Sequence, residues 1–259
     1  MRGMQSAQPL AVFIADLHLD GSATPRALAF RGLLAHLSEL AHARPVTLHI
    51  IGDLFEFWEE VHPEVAAMYE DDLKALEAAH RVGVKIILFA GNRDFLYGEY
   101  VEARLGAHYY PDGVRLDMYG KKYWLEHGDL LCTTDVRYLN YRKWVRSWPV
   151  RFALECTPWC CAKKLIAKLR SQTVKDKENK PKTAFDIDPK AAFERMKLHD
   201  TRALLCGHTH RAQETDVGEG RRLLVLPPWC DEPAGYMLDE SGLQRMKFGA
   251  DGRAWLNYT

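Results

Sequence analysis

The sequence predicts an α/β fold interrupted by a helical insertion, on three observations. Short apolar runs alternate with amphipathic helical stretches over the first 95 residues. Five apolar runs end in residues able to bind metal or move protons: Asp16-x-His18, Gly52-Asp53, Gly91-Asn92-Arg93-Asp94, His127-Gly128-Asp129 and Gly207-His208-Thr209-His210. A basic, aromatic-rich stretch then separates the fourth run from the fifth. Strand, helix, strand, helix, strand implies parallel βαβ units. In such sheets ligands collect beyond the carboxyl ends of the strands.

"LAVFIADLHL" (10–19) reads as a buried strand leading into a loop. Thr24-Pro25 is an N-cap followed by a first-turn proline, and predicts a helix to about His42, before Pro45. "VTLHIIGDLFEFW" (46–58) is the second strand and its exit loop. Pro63 opens one continuous helix ending at Gly83. "VKIILFAGNRDF" (84–95), "YWLEHGDLLCTTD" (123–135) and "TRALLCGHTHR" (201–211) supply the remaining loaded strands. "RRLLVLPPWC" and "YMLDESGLQRMKF" predict further strands and a terminal hairpin.

Hydrophobic residues make up 47% of 259 and charged residues 27%, which allows a sizeable core and argues against wholesale disorder. Lys+Arg and Asp+Glu balance at 35 each, so net charge gives no case for a nucleic-acid partner. No apolar run reaches the ~20 residues needed to span a bilayer, and no cleavage signal follows the N-terminus; a cytoplasmic chain is expected. Six cysteines are scattered without a C-x-x-C pair, which argues against a zinc ribbon or redox motif. Cys132 and Cys206 read as buried thiols; Cys156, Cys160 and Cys161 have no assigned role.

Residues 137–182 carry thirteen Lys or Arg against three acids, a net of +10 in a neutral chain, with Trp and Tyr interleaved. Three readings are open from composition: a solvated hairpin with snorkelling lysines, a surface for anionic lipid, and a nucleic-acid surface with stacking aromatics. The segment is expected to be an insertion, with 1–136 and 183–259 forming the core around it.

The five run ends offer seven donors: Asp16, His18, Asp53, Asn92, His127, His208 and His210. Carboxylate, amide and imidazole without thiolate suit Mn²⁺, Fe²⁺ or Zn²⁺. Seven donors exceed one ion but suit two ions sharing a carboxylate, ~3.5–4 Å apart. In an extended chain residues i and i+2 share a side, so His208 and His210 are expected to aim at one place, one imidazole for each ion. An H-x-H alone is a weak signal, and two surface histidines in a loop are the alternative. The glycines before most of these donors are expected to let the backbone turn sharply.

These motifs resemble the calcineurin-like metallophosphoesterases, whose signature is D-x-H, G-D, G-N-H-[DE], H and G-H-x-H. The resemblance implies an α/β/β/α sandwich with a dinuclear centre. Asp16, His18, Asp53 and His210 would hold one metal, and Asp53, Asn92, His127 and His208 the other, with Asp53 bridging. Water activated by the ions would attack phosphorus in line. Arg93 stands where the wider family has His. Arginine cannot donate a proton near pH 7 but can clamp phosphate oxygens, so Arg93 favours a phosphoanhydride, whose leaving group needs little acid help. Asp53, Asn92 and Arg93 are the catalytic candidates.

"FIADLHL", "IGDLFEFW", "GNRDFL", "HGDLLCTTD" and "GHTHR" are more closely similar to the UDP-2,3-diacylglucosamine pyrophosphatases of bacterial lipid A synthesis. That resemblance implies hydrolysis of UDP-2,3-diacylglucosamine to UMP and lipid X with two divalent ions, typically Mn²⁺. It makes 137–182 a lid over the active site, and it places the chain peripherally on the inner face of the bacterial inner membrane, against an anionic membrane surface. Arg93, Asp135, Arg170, Thr173, Lys177, Lys180 and His208 would contact substrate. Thr173 falls where a Ser is usual, and "LPPWC" (226–230) replaces the usual "LGDW" or "LGAW". Two other readings are a metallophosphoesterase for a soluble nucleotide-sugar or dinucleotide pyrophosphate, and a non-catalytic scaffold of the same fold, whose mark would be lost ligands.

Overall fold

The computed structural model describes residues 8–164, 186–249 and 251–256. β1 (Leu10–Ile14), β2 (Val46–Ile50), β3 (Val84–Phe89) and β4 (His108–Tyr110) run parallel in that order. β10 (Ala234–Asp239) joins β1 antiparallel and continues through β11 (Gly242–Phe248) and β12 (Ala254–Leu256), making seven strands. A second sheet of five has the order β5 (Val114–Met118), β6 (Lys121–Leu125), β7 (Ala203–Cys206), β9 (Arg221–Val225), β8 (Gln213–Gly218). Within it β6, β7 and β9 are parallel.

Side-chain alternation builds the layers. On β1, Val12 and Ile14 pack outward against α1 (Pro25–Ala41), with Phe30, Leu33, Leu34 and Leu37, and share that core with α3 (Glu70–Arg81). Ala11 and Phe13 face the other way and meet Leu125, Leu205 and Leu224 of the second sheet. On that sheet's far side Leu204, Cys206, Leu223 and Val225 are covered by Ala192 and Met196 of the helix Pro189–Leu198. Helix, sheet, sheet, helix is therefore the layering. Because both sheets contain parallel strands, their loaded ends meet along one seam.

Thr24 caps α1, its hydroxyl accepting from Ala27 N at 3.4 Å, with Pro25 in the first turn as the sequence predicts. The predicted single helix from Pro63 is instead two, α2 (Pro63–Met68) and α3. Tyr69 breaks it at φ −111°, ψ 19°, its ring drawn into the core 4.4 Å from Phe55 and 6.0 Å from Trp58. β6 stops at Leu125; Asp129–Leu131 form a 3-10 turn after Gly128, whose φ is +107°. α4 (Glu99–Leu105), α5 (Val136–Val145) and α6 (Trp148–Glu155) complete the described helices before 159–164, and the helix Pro189–Leu198 is α7. The predicted insertion thus opens with α5 and α6.

Candidate metal centre

Five loops carry the donors to the seam, and their backbone is unusual. Eight non-glycine residues among those described have positive φ; Asp16, His18, Asp53, His208 and His210 are five of them. Such φ values are uncommon outside glycine and cluster at functional sites. The expectation that His208 and His210 share a side as an extended pair is therefore wrong in its reason. Their φ values are +74° and +56°, and the rings diverge to different neighbours. Gly52, before Asp53, has the left-handed φ that a sharp turn calls for, +80°, but Gly91 and Gly207 do not. They are required because a Cβ would lie 2.1 Å from Asp53 Oδ1 at Gly91, and 2.5 Å from Asp16 Oδ2 at Gly207.

His18 Nε2 and His210 Nε2 face each other at 3.1 Å, with Asp16 Oδ1 3.6 Å from His210 Nε2 and Asp53 Oδ2 3.7 Å from His18 Nε2. Beside them Asn92 Oδ1 lies 3.0 Å from His208 Nδ1 and 3.2 Å from His127 Nε2, and Asp53 Oδ2 is 3.9 Å from His127 Nε2. All seven predicted donors are thus brought together, in two groups that meet at Asp53, with Asp16 also within 4.8 Å of Asp53 and His127. Asp53 Oδ1 is occupied by the Arg93 N–H at 2.9 Å, so Oδ2 is the oxygen facing both groups. Asp16 Oδ2 accepts from His208 N at 2.9 Å, while Oδ1, fully buried, accepts no hydrogen bond. A buried carboxylate oxygen without a donor, facing imidazole nitrogens, fits a cation.

The outer ring nitrogens are also set. His127 Nδ1 lies 3.0 Å from Ile51 O, and His18 Nδ1 lies 3.2 Å from Glu56 Oε2, which turns each Nε2 lone pair into the seam. Burial alone would raise Asp53, but His127 and His18 hold it below the ordinary carboxylate range. Burial alone would depress His127, but Asp53, Asp16 and Asp129 raise it to about 9. Burial, helped by Asp53, pushes Asp94 up to about 6.

Several contributors escaped the sequence reading. Asp94 accepts from the backbone of Asp53, Gly91 and Phe55, each at 3.1 Å, and from Tyr97 OH at 2.6 Å, pinning two donor loops together. Glu56 bridges His18 and the Arg93 guanidinium. Asp129 accepts from Arg142 Nε at 2.8 Å and from Tyr138 OH, tying α5 to the loop of His127. Arg146 reaches Gly91 O at 3.3 Å and lies over the Phe95 ring. Asp94 and Asp129 stand inside the loaded motifs and Glu56 just after one, but the motifs assign them no supporting role; Arg142 and Arg146 have no signal beyond the basic stretch. Of the predicted substrate contacts, Arg93 flanks the donors, and Asp135 caps α5 by accepting from Tyr138 N at 3.1 Å. Arg170, Thr173, Lys177 and Lys180 lie outside the described residues.

A sheet sandwich whose strand ends gather two adjoining sets of oxygen and imidazole donors suits a metal-dependent hydrolase. The profile of the calcineurin-like phosphoesterase family matches residues 10–212. The chain belongs to that family. It is 31% identical over 245 residues to UDP-2,3-diacylglucosamine hydrolase of Aeromonas hydrophila, covering 91% of this chain and 97% of that protein. It is 32% identical over 240 residues to the Pseudomonas aeruginosa enzyme of that name, and 33% over 246 to that of Serratia proteamaculans, covering 92% of this chain and 98% of each. Vacuolar protein sorting 29 from Cryptosporidium parvum is similar at 15% identity and TM-score 0.46 over 96% of both chains.

Proposed function

We propose that this chain hydrolyses the pyrophosphate bond of UDP-2,3-diacylglucosamine, giving UMP and 2,3-diacylglucosamine 1-phosphate (lipid X), with two divalent ions, Mn²⁺ by preference. The observation that carries it is end-to-end similarity to enzymes of that name, joined to a complete donor set around a shared Asp53. Asp16, His18, Asp53 and His210 would hold one ion, and Asp53, Asn92, His127 and His208 the other. Bound there, the ions would lower the pKa of water and neutralise charge developing on the phosphoryl oxygens.

The chain's own groups do the rest. Arg93 is held beside the donors by Glu56 and by its own N–H on Asp53. Its guanidinium would exchange Glu56 for pyrophosphate oxygens, a bidentate match that lysine lacks. No side chain at this position gives a proton to the leaving group, which suits a phosphate leaving as an anion. Arg142 and Arg146 add positive charge on the side where α5 crosses the seam.

The insertion is read as a lid meeting a membrane. Trp144, Trp148 and Phe152 are 57%, 74% and 52% exposed, an unusual display of aromatics beside Arg146 and Arg151. Amphipathic basic-aromatic surfaces enter the headgroup region of anionic bilayers. No helix among the described residues is long and apolar enough to cross a membrane; the contact proposed is peripheral, on the inner face of the bacterial inner membrane. Asp135, Arg170, Thr173, Lys177, Lys180 and His208 complete the proposed substrate contacts.

The test is hydrolysis of UDP-2,3-diacylglucosamine beside UDP-N-acetylglucosamine, with Mn²⁺ and with EDTA, products resolved. Mn²⁺-dependent release of UMP and lipid X from the acylated substrate alone is expected. Equal cleavage of both would move the assignment to soluble nucleotide pyrophosphates.

A further inference from the structure

We propose that Cys230 gives the Asp16–His18–His210 half of the centre a thiolate donor, making that half selective for a softer divalent ion, such as Zn²⁺ or Co²⁺, than its neighbour. The inference rests on the dinuclear reading above. Cys230 belongs to the loop after β9, and that loop is clamped onto the exit of β1: Trp229 N donates to Ala15 O, and Cys230 N to Asp16 O, each at 3.1 Å. Trp229 is completely buried, its indole N–H donating to Arg26 O at 3.0 Å. The thiol is therefore fixed beside the centre by its backbone and by the neighbouring ring.

Cys230 Sγ lies 3.8 Å from His210 Nδ1, and His18, His210 and Cys230 each offer a donor atom within 4.8 Å of the others. Donors of one ion at about 2.1 Å for nitrogen and about 2.3 Å for sulfur stand at most about 4.4 Å apart, which admits the 3.8 Å between Cys230 Sγ and the His210 ring. The unpartnered, fully buried Asp16 Oδ1 faces the same group, 3.6 Å from His210 Nε2. The thiol's nearest acceptor is Asp231 Oδ1 at 3.7 Å, a long contact that a metal bond would replace. Asp53, Asn92, His127 and His208 include no sulfur. Thiolate favours softer ions, so the two halves would differ in metal preference. Binding would form one metal–sulfur bond and release the thiol proton to solvent.

The experiment uses full-length protein with Cys156, Cys160 and Cys161, all exposed thiols, replaced by Ser. It is loaded with two equivalents of Co²⁺ and read for a thiolate-to-cobalt charge-transfer band in the near ultraviolet. The band is expected, and Cys230→Ser and Cys230→Ala should each abolish it while cobalt stays at two per chain. In competition, Zn²⁺ affinity relative to Mn²⁺ should fall about tenfold in both variants. Two bound cobalt ions without the band, or a band that both variants keep, would overturn the role of Cys230 and leave the dinuclear centre intact. Failure of the chain to bind Co²⁺ and Mn²⁺ at all would overturn the dinuclear reading, and this proposal with it.

Discussion

The seam between the sheets and the helices α5 and α6 use charged and aromatic residues to opposite effect. At the seam Asp16, Asp53, His127 and His18 are 0–7% exposed, and their charges are few and closely opposed. α5 and α6 have no fully buried residue, and Trp144, Trp148 and Phe152 stand largely in solvent, while Arg142 is tucked against Asp129. Desolvated charges interact strongly and are little screened, whereas exposed ones fade beyond about 8 Å at physiological salt. The seam is thus a place for fixed chemistry and the helices a place for adjustable contact. They are joined chiefly through Asp129, where Arg142 and Tyr138 meet the loop of His127.

The largest effect should come from the seam. Asp53→Ala removes the oxygen that faces both donor groups. Turnover should be abolished and bound metal should fall below two per chain by elemental analysis, with secondary structure unchanged in circular dichroism; an active variant loaded with two metals would refute the shared role. Next is the joint. Arg142→Ala takes from Asp129, 3% exposed, the guanidinium that hydrogen-bonds it while His127 and Tyr138 remain, a loss of about 2 kcal/mol, the usual worth of a hydrogen bond to a charged group. Hydrogen exchange over 136–155 should accelerate while β1–β3 stay protected, and equal acceleration of both would mean the helices and the core are one cooperative unit.

On the exposed side, the double variant Trp148→Ala with Phe152→Ala should weaken binding to anionic vesicles about tenfold, the equivalent of about 1.4 kcal/mol of interfacial burial. Raising salt should weaken the native protein's vesicle binding further but leave hydrolysis of detergent-dispersed substrate unchanged. Vesicle binding insensitive to both changes would remove the helices from the membrane reading. The smallest effect concerns a core imidazole outside the seam. Burial drives His49, stacked on Phe13, down to about 3. An imidazole whose folded pKa is depressed is neutral when folded and takes a proton only on unfolding. It therefore erodes stability as pH falls below about 6.5, toward 3. Between pH 7 and 5 that is at most about 2 kcal/mol. Urea midpoints of His49→Gln should lose that part of the acid sensitivity, and an unchanged pH profile would show His49 is protonated in the fold.

Fold and centre were legible in unequal measure. Every donor was readable because each ends an apolar run, and apolar runs mark strands whose carboxyl ends converge. What failed were geometric reasons. No residue pattern announces that His208 and His210 have left-handed backbone, or that Gly91 is there to clear Asp53 rather than to turn. Tyr69 broke a helix whose periodicity continued through it, because its ring gains more in the aromatic core than one helical bond contributes. α7 opens on Asp188-Pro189, the same cap grammar as Thr24-Pro25, but it follows a basic stretch that hid it. Glu56, Asp129 and Cys230 act across loops, and sequence distance says nothing about such contacts.

The left-handed backbone at Asp16, His18, Asp53, His208 and His210 bears on anyone wishing to transplant this centre. Copying the seven side chains onto the strand ends of another α/β protein would carry the donors without their directions. At ordinary negative φ the Cα–Cβ bonds of these five residues would leave the backbone in other directions, and the donors would no longer start from the positions that bring them together here. The transferable unit is the loop with its torsions, together with the glycines and Asp94 that hold it.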